Sequence, residues 1–315
     1  MTPRVATLGE TMALMRTREI GSLRHVSDLI LGIGGAETNV AIGLQRLGID
    51  SRWLGRVGDD PLGERVAREV RAEGVDVHGV VDPDAPTGLM IKERPTTRST
   101  AVLYYRGGSA GSRLRPEDLP PGWIEQVSVL HVSGITALLS DSARECMQSA
   151  LDRARGAGVP VSFDINYRSA LAPADVAGPL LRKFAEQADI VFGGPEELQL
   201  LFPDSDPAEA AARLVRSGRS EVVRKQGADG ATAHLPGEQI YSAGFPVDVV
   251  DTVGAGDAFV AGYLSGWLHG LSVAQRLRRA NACGAILCMT PGDWESSPTL
   301  ADVERFCLGG DPVLR

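Results

Sequence analysis

The chain is poor in several residue types, and each shortage excludes a class of function. Aromatic side chains fill only 5% of its 315 positions, too few for a surface on which nucleic-acid bases stack. Lysine occurs three times, as Lys92, Lys183 and Lys225, and the formal charge is -8 with a pI near 5.2. Nothing in that balance offsets repulsion from phosphate backbones or anionic membranes, so neither nucleic acid nor membrane is expected as a partner. Cys146, Cys283, Cys288 and Cys307 show no CxxC spacing and no histidine in metal-ligand register. They read as reduced, mostly buried thiols of a cytoplasmic protein. No apolar run approaches the ~18 residues of a membrane span, and Glu10 interrupts the first apolar stretch before a signal-peptide core can form.

Motifs are missing too. There is no GxxxxGK[ST] and no Gly-Lys pair, which excludes a P-loop; HExxH and EF-hand patterns are absent. The run from Gly32 through Gly34 opens like a dinucleotide fingerprint but carries Glu37 where the third glycine belongs. Gly107-Gly108-Ser109-Ala110-Gly111 spells GxSxG, yet Pro116 follows within the helix that a nucleophile elbow requires, which argues against a Ser109 hydrolase.

What is present is ordinary globular composition, 43% hydrophobic and 23% charged, with 37 glycines. Short apolar runs (5–9, 51–57, 127–132, 159–164, 190–192, 221–224) alternate with amphipathic stretches (38–47, 62–73, 141–157, 195–202, 207–217). Such alternation predicts βαβ units and a mostly parallel sheet covered on both faces, an α/β fold. Two regions, about 13–32 and 87–106, carry strand-like pieces without helices. They predict a small separate sheet, a lid or a dimerisation surface, on a single domain spanning 1–315.

The sharpest signal is Asp251-Thr252-Val253-Gly254-Ala255-Gly256-Asp257 ahead of a long apolar helix. Small residues at a helix start leave backbone N–H groups bare at the positive end of the helix dipole, an anion hole suited to a phosphoryl group in transfer. Asp257, in the first turn, is placed to take a proton from an attacking hydroxyl; the plain alternative is a capping carboxylate. Gly34-Gly35-Ala36-Glu37-Thr38-Asn39 sets two glycines before another helix, with Asn39 as a hydrogen-bonding side chain, and 280–285 is a small-residue run able to wall a purine.

The Gly34–Asn39 segment with Gly48 and Gly58, together with Asp251–Asp257, resembles the two signatures of the PfkB (ribokinase-like) carbohydrate kinases, in the right order and over the whole chain. The resemblance implies a three-layer α/β/α ribokinase-like fold with a mostly parallel central sheet and a small β-sheet lid. It implies ATP as phosphoryl donor and Mg²⁺ as cofactor, with K⁺ as a further candidate cation. By motif match Asp257 is the general base, and Gly254, Ala255 and Gly256 form the anion hole. Lys225, Gly227 and Gly230 belong to the nucleotide loop, and Asn281 lines the adenine pocket.

Segments 102–110, 133–136 and 164–168 most resemble 2-keto-3-deoxygluconate kinases. Gly34, Gly35, Asn39, Tyr104, Arg106, Arg168 and Asp293 are then the substrate contacts. A physical argument agrees: this sugar acid carries a carboxylate, and Arg106 and Arg168 offer planar forks that bind carboxylate. Tyr104 and Tyr105 alternate along a strand, so one hydroxyl faces the site and one faces away. Gly194-Pro195-Glu196-Glu197 stands where many relatives carry N-x-x-E; it loses the asparagine and keeps Glu197, a candidate metal contact through water. Met90 replaces an aromatic that similar kinases present. Fructokinase, another sugar kinase (ribose, aldonate) and a non-catalytic sugar sensor are the rival expectations. A homo-oligomer joined through the lid is expected because the lid's edge strands are otherwise exposed.

Overall fold

The computed structural model describes residues 3–96, 99–218 and 221–309; residues 97 and 98 of the expected lid segment and both extremes of the 1–315 domain lie outside the described residues. In chain order the strands are β1 (Arg4–Leu8), β2 (Met12–Thr17), β3 (Leu29–Gly34), β4 (Asp50–Gly58), β5 (Asp76–Asp82), β6 (Leu89–Thr96) and β7 (Ser99–Tyr105). They continue as β8 (Val129–Ser133), β9 (Val161–Asp164), β10 (Ile190–Gly193), β11 (Glu221–Lys225), β12 (Ala231–Leu235) and β13 (Glu238–Ser242). The α-helices are α1 (Ala36–Arg46), α2 (Pro61–Ala72), α3 (Gly134–Leu139), α4 (Asp141–Ala157) and α5 (Ala174–Ala185). After them come α6 (Pro195–Leu201), α7 (Pro207–Arg216), α8 (Ala255–Leu268), α9 (Val273–Cys288) and α10 (Leu300–Cys307).

Nine strands form the main sheet in the order β13-β12-β11-β10-β9-β8-β1-β4-β5, parallel from β11 to β5. Every residue of β8, β9 and β10 is buried, the signature of strands covered on both faces. One face packs Met147, Leu181, Leu198 and Leu214 from α4 to α7; the other packs Val40, Phe259, Leu264 and Cys283 from α1, α8 and α9. Most of the expected elements form within a residue or two of their expected bounds. The strand β5 and the β12–β13 hairpin were not legible, because β5 is a mostly exposed edge strand and the hairpin follows Lys225 without an intervening helix.

The two irregular regions do form a separate four-stranded sheet, β3-β2-β6-β7, with its own small core of Met12, Leu14 and Met90. Segment 107–113 after β7 makes only a three-residue 3₁₀ turn, so no elbow helix exists, and Ser109 is buried against the Glu10 carboxylate. Among the described residues no helix is long and apolar enough to cross a membrane.

Candidate active site

The parallel strands deliver their carboxyl ends to one edge of the sheet, where open α/β folds bind ligands. Glu10 follows β1, Ser133 ends β8, Asp164 ends β9, Glu197 follows β10 and Lys225 ends β11. Facing them are two helix starts, α1 after Gly34-Gly35 and α8 after Gly254, neither with a side-chain N-cap. Gly254 sits at φ +81, and an added Cβ there would run into the carbonyl of Asp293, so only glycine lets the turn approach that loop.

The Ala255 N–H donates to Thr252 O at 3.2 Å, while among the described residues no acceptor meets the N–H groups of Gly256 and Asp257. Of the three residues expected to form the anion hole, Gly254 and Gly256 keep N–H groups without an acceptor among the described residues, as does Asp257, while Ala255 does not. Helix α8 is buried from Asp257 to Gly266, which holds its first turn rigidly. Asp257 does not cap it; its Oδ2 accepts from Asn39 Nδ2 at 2.8 Å. Burial pushes the Asp257 carboxyl up to about 7, with Asp164 adding to the rise and Asn39, Arg168 and Lys225 opposing it. A carboxylate with that poise is a proton acceptor near neutral pH.

Two cavities meet at this turn. The first is lined by Gly35, Asn39, Tyr104, Arg106, Arg168, Gly254, Asp257 and Asp293, every expected substrate contact except Gly34. Gly34 stands one step behind, its Cα turned toward Met90 and Asp293. Tyr104 faces in, whereas Tyr105 is 59% exposed and lines neither cavity, as strand alternation requires. Asn39 Oδ1 is buried without a partner among the described residues, an acceptor left over for a ligand hydroxyl.

The two arginines stand differently. Arg106 is already engaged, with Nε 2.7 Å and Nη2 2.5 Å from Glu10 Oε2, so one edge of its fork is taken. Arg168 is exposed, bonds only its neighbour's carbonyl at 3.4 Å, and meets no carboxylate among the described residues. Glu197, in helix α6, makes no ion pair with it. Glu197 instead accepts from Tyr167 N–H (2.9 Å) and Gly194 N–H (2.7 Å).

The second cavity, of about 650 Å³, is lined by Lys225, Gly227, Gly230, Phe245, Ala255, Gly256 and Asn281 among others. Lys225 is no solvated strand-end lysine: its Nζ sits 2.7 and 2.8 Å from the two oxygens of Asp164. Burial works against its charge, but Asp164, Glu197 and Asp257 outweigh it and raise its pKa. Asn281 spends its amide donors on Ser242 O (3.0 Å) and Ala243 O (3.1 Å), tying α9 to the segment after β13; only its remaining surface is free to face a ligand. A surface groove between α5 and α6, of about 830 Å³, shares no lining residue with either cavity.

Sequence reasoning missed Glu10, Asp164 and Lys92 as site residues. Asp164 carried a signal, an acidic residue at the carboxyl end of a buried strand. Lys92 also carried one, as a rare lysine on the same strand face as Met90. Glu10 carried none, because nothing local announces that it will meet Arg106, 96 residues away.

Comparison with known proteins agrees with this geometry. Residues 2–300 match the model of the pfkB family carbohydrate kinases. The chain is 38% identical over 305 residues to the 2-dehydro-3-deoxygluconokinase of Bacillus subtilis (strain 168), covering 95% of this chain and 94% of that one. It is 33% identical over 314 residues to the 2-dehydro-3-deoxygalactonokinase of Haloferax volcanii, covering 99% and 98%. A crystal structure of a ribokinase II from E. coli, in complex with ATP and Mg²⁺, superimposes with a TM-score of 0.90 at 26% identity, covering 98% of this chain and 99% of that one. With both cavities, the glycine-headed helix and near-complete coverage in agreement, the chain belongs to the pfkB family and is a carbohydrate kinase with a ribokinase-like fold.

Proposed function

We propose that the chain transfers the γ-phosphoryl group of ATP to the 6-hydroxyl of 2-keto-3-deoxygluconate, giving 2-keto-3-deoxy-6-phosphogluconate. The observation that carries the reading is Arg168, a cation without a carboxylate partner that opens onto the same cavity as the buried Asp257. A guanidinium and a proton acceptor lining one cavity suit a substrate that carries both a carboxylate and a reactive hydroxyl. The B. subtilis relative points to the same acid.

In this reading Asn39 and Asp293 orient the sugar, and Asp257 takes the proton of the attacking hydroxyl. The Gly256 and Asp257 amides hold the charge of the transferring group, and Lys225 steadies the nucleotide phosphates. Mg²⁺ supplies charge neutralisation on the phosphates. Glu197 and Asp164, the carboxylates gathered around Lys225, are the side chains suited to hold it through water. Glycines 227 and 230 keep the nucleotide cavity open to backbone contact.

A second reading, a neutral ketose such as fructose, is favoured by one observation: Glu10 already neutralises Arg106. The test is ADP release from Mg·ATP with 2-keto-3-deoxygluconate, its galactonate epimer, fructose and ribose as acceptors. A kcat/KM for the keto-deoxy acids at least tenfold above that for fructose is expected. Preference for fructose overturns the acid assignment and leaves the base and anion hole standing.

A further inference from the structure

Two of the three lysines in this chain line the two cavities, Lys92 buried and Lys225 half-buried, and only Lys225 has a place in the chemistry above. Lys92 lies on the lid strand β6, 2% exposed, on the same strand face as Met90 and among the lining of the sugar-side cavity. Its Nζ is 2.6 Å from Asp251 Oδ2, 2.8 Å from Asp293 Oδ1 and 3.4 Å from Gly292 O. An ammonium has three protons and no fork, so three oxygens around one point suit lysine and not arginine. The two carboxylates are themselves 1% and 4% exposed, and among the described residues neither pairs with another cation.

Both carboxylates belong to the frame of the anion hole. Asp251 opens the loop that leads into α8; its Oδ1 accepts from Val253 N–H at 3.2 Å and its Oδ2 from Gly292 N–H at 3.4 Å. Asp293 lends its carbonyl as the wall against which Gly254 is pressed. Without a cation between them, two buried carboxylates must separate or take up a proton, and either change moves the wall behind Gly254. The cation comes from the lid sheet; the oxygens it holds come from the body.

We propose that Lys92 is a positioning residue for phosphoryl transfer: its ammonium, reaching from the lid, clamps Asp251 and the Gly292–Asp293 turn so that the amides at the start of α8 stand where the transferring group needs them. The inference rests on the assignment of that helix start as the anion hole. Because the clamp acts on transition-state charge and not on the nucleotide cavity, its loss falls on kcat.

The experiment measures kcat, both KM values and thermal stability for Lys92→Ala and Lys92→Arg, beside Asp257→Asn as a control. Lys92→Ala is expected to lose about 10- to 100-fold in kcat with KM for ATP within about threefold. Methylammonium or ammonium ions, small enough to enter the space left by the side chain, are expected to restore part of that loss, and tetramethylammonium to restore none. Lys92→Arg, which keeps the charge but not the point geometry, is expected to fall between. If Lys92→Ala does not fold, the double variant Lys92→Met with Asp251→Asn, which leaves one carboxylate free to take a proton, is assayed in its place. It is expected to fold with the same kcat deficit. Turnover within about threefold of the parent in the folded variants, or a loss indifferent to the choice of ammonium ion, overturns the proposal. If Asp257→Asn keeps normal turnover as well, the reading of the site has failed; if it alone loses turnover, only the Lys92 assignment has.

Discussion

The two cavities that meet at Gly254–Asp257 are built by opposite means. The sugar-side cavity is closed by side chains, with Glu10, Asp257 and Asp293 set among Lys92, Arg106 and Arg168, and leaves only about 70 Å³ between them. The nucleotide-side cavity is roomy and plain, with five glycines, Phe245, Val247, Val249 and Ala285, and Lys225 as its one charged side chain. A cavity made of backbone and small apolar residues accepts a common donor without reading much of it. A cavity of opposed charges recognises one acceptor, because each charge left unpaired in it is costly. In the proposed reading, donor tolerance and acceptor choice therefore occupy different surfaces that share one helix turn.

The largest expected effect strikes that shared turn. Asp257→Asn should lower kcat by about 10²- to 10⁴-fold and leave KM for ATP nearly unchanged. The same substitution should raise the melting temperature at pH 8. Burial lifts the carboxyl from its ordinary 3.8 to about 7, so its contribution to stability is complete below 3.8 and is lost as pH rises through 7. The amide carries no such loss. Unchanged turnover would break the claim that both cavities serve one base.

Next is pH. In the parent enzyme kcat/KM should fall tenfold per unit below about pH 7, as Asp257 is protonated, and Asp257→Asn should lack that limb. A limb that persists in the variant would assign it to another group. Smaller again, Asn281→Ala should raise KM for ATP severalfold by loosening the tie between α9 and residues 242–243, with acceptor preference unmoved. A shift in acceptor preference would erase the division between the two cavities.

The division also explains how much of the site was legible in the sequence. Backbone-built features announce themselves locally: Gly34-Gly35, Gly254 and the Lys225–Gly230 loop are glycine patterns at helix starts and strand ends, and each was found where expected. Opposed charges do not. The Glu10–Arg106 pair spans 96 residues and the Lys92–Asp293 pair 201, so only the folded sheet and lid bring them together. The α/β alternation was legible because buried parallel strands are continuous apolar runs. The exposed edge strand β5 was not, because its exposure erases the pattern.

The most direct test of the central claim, that acceptor choice is read by a free guanidinium in the sugar-side cavity, is Arg168→Ala assayed on 2-keto-3-deoxygluconate and on fructose. The preference for the acid, expressed as the ratio of the two kcat/KM values, is expected to drop by about 10- to 100-fold, the worth of a charge-assisted contact, with KM for ATP unchanged. Equal losses on both sugars would contradict the account, since they would show that Arg168 reads no carboxylate.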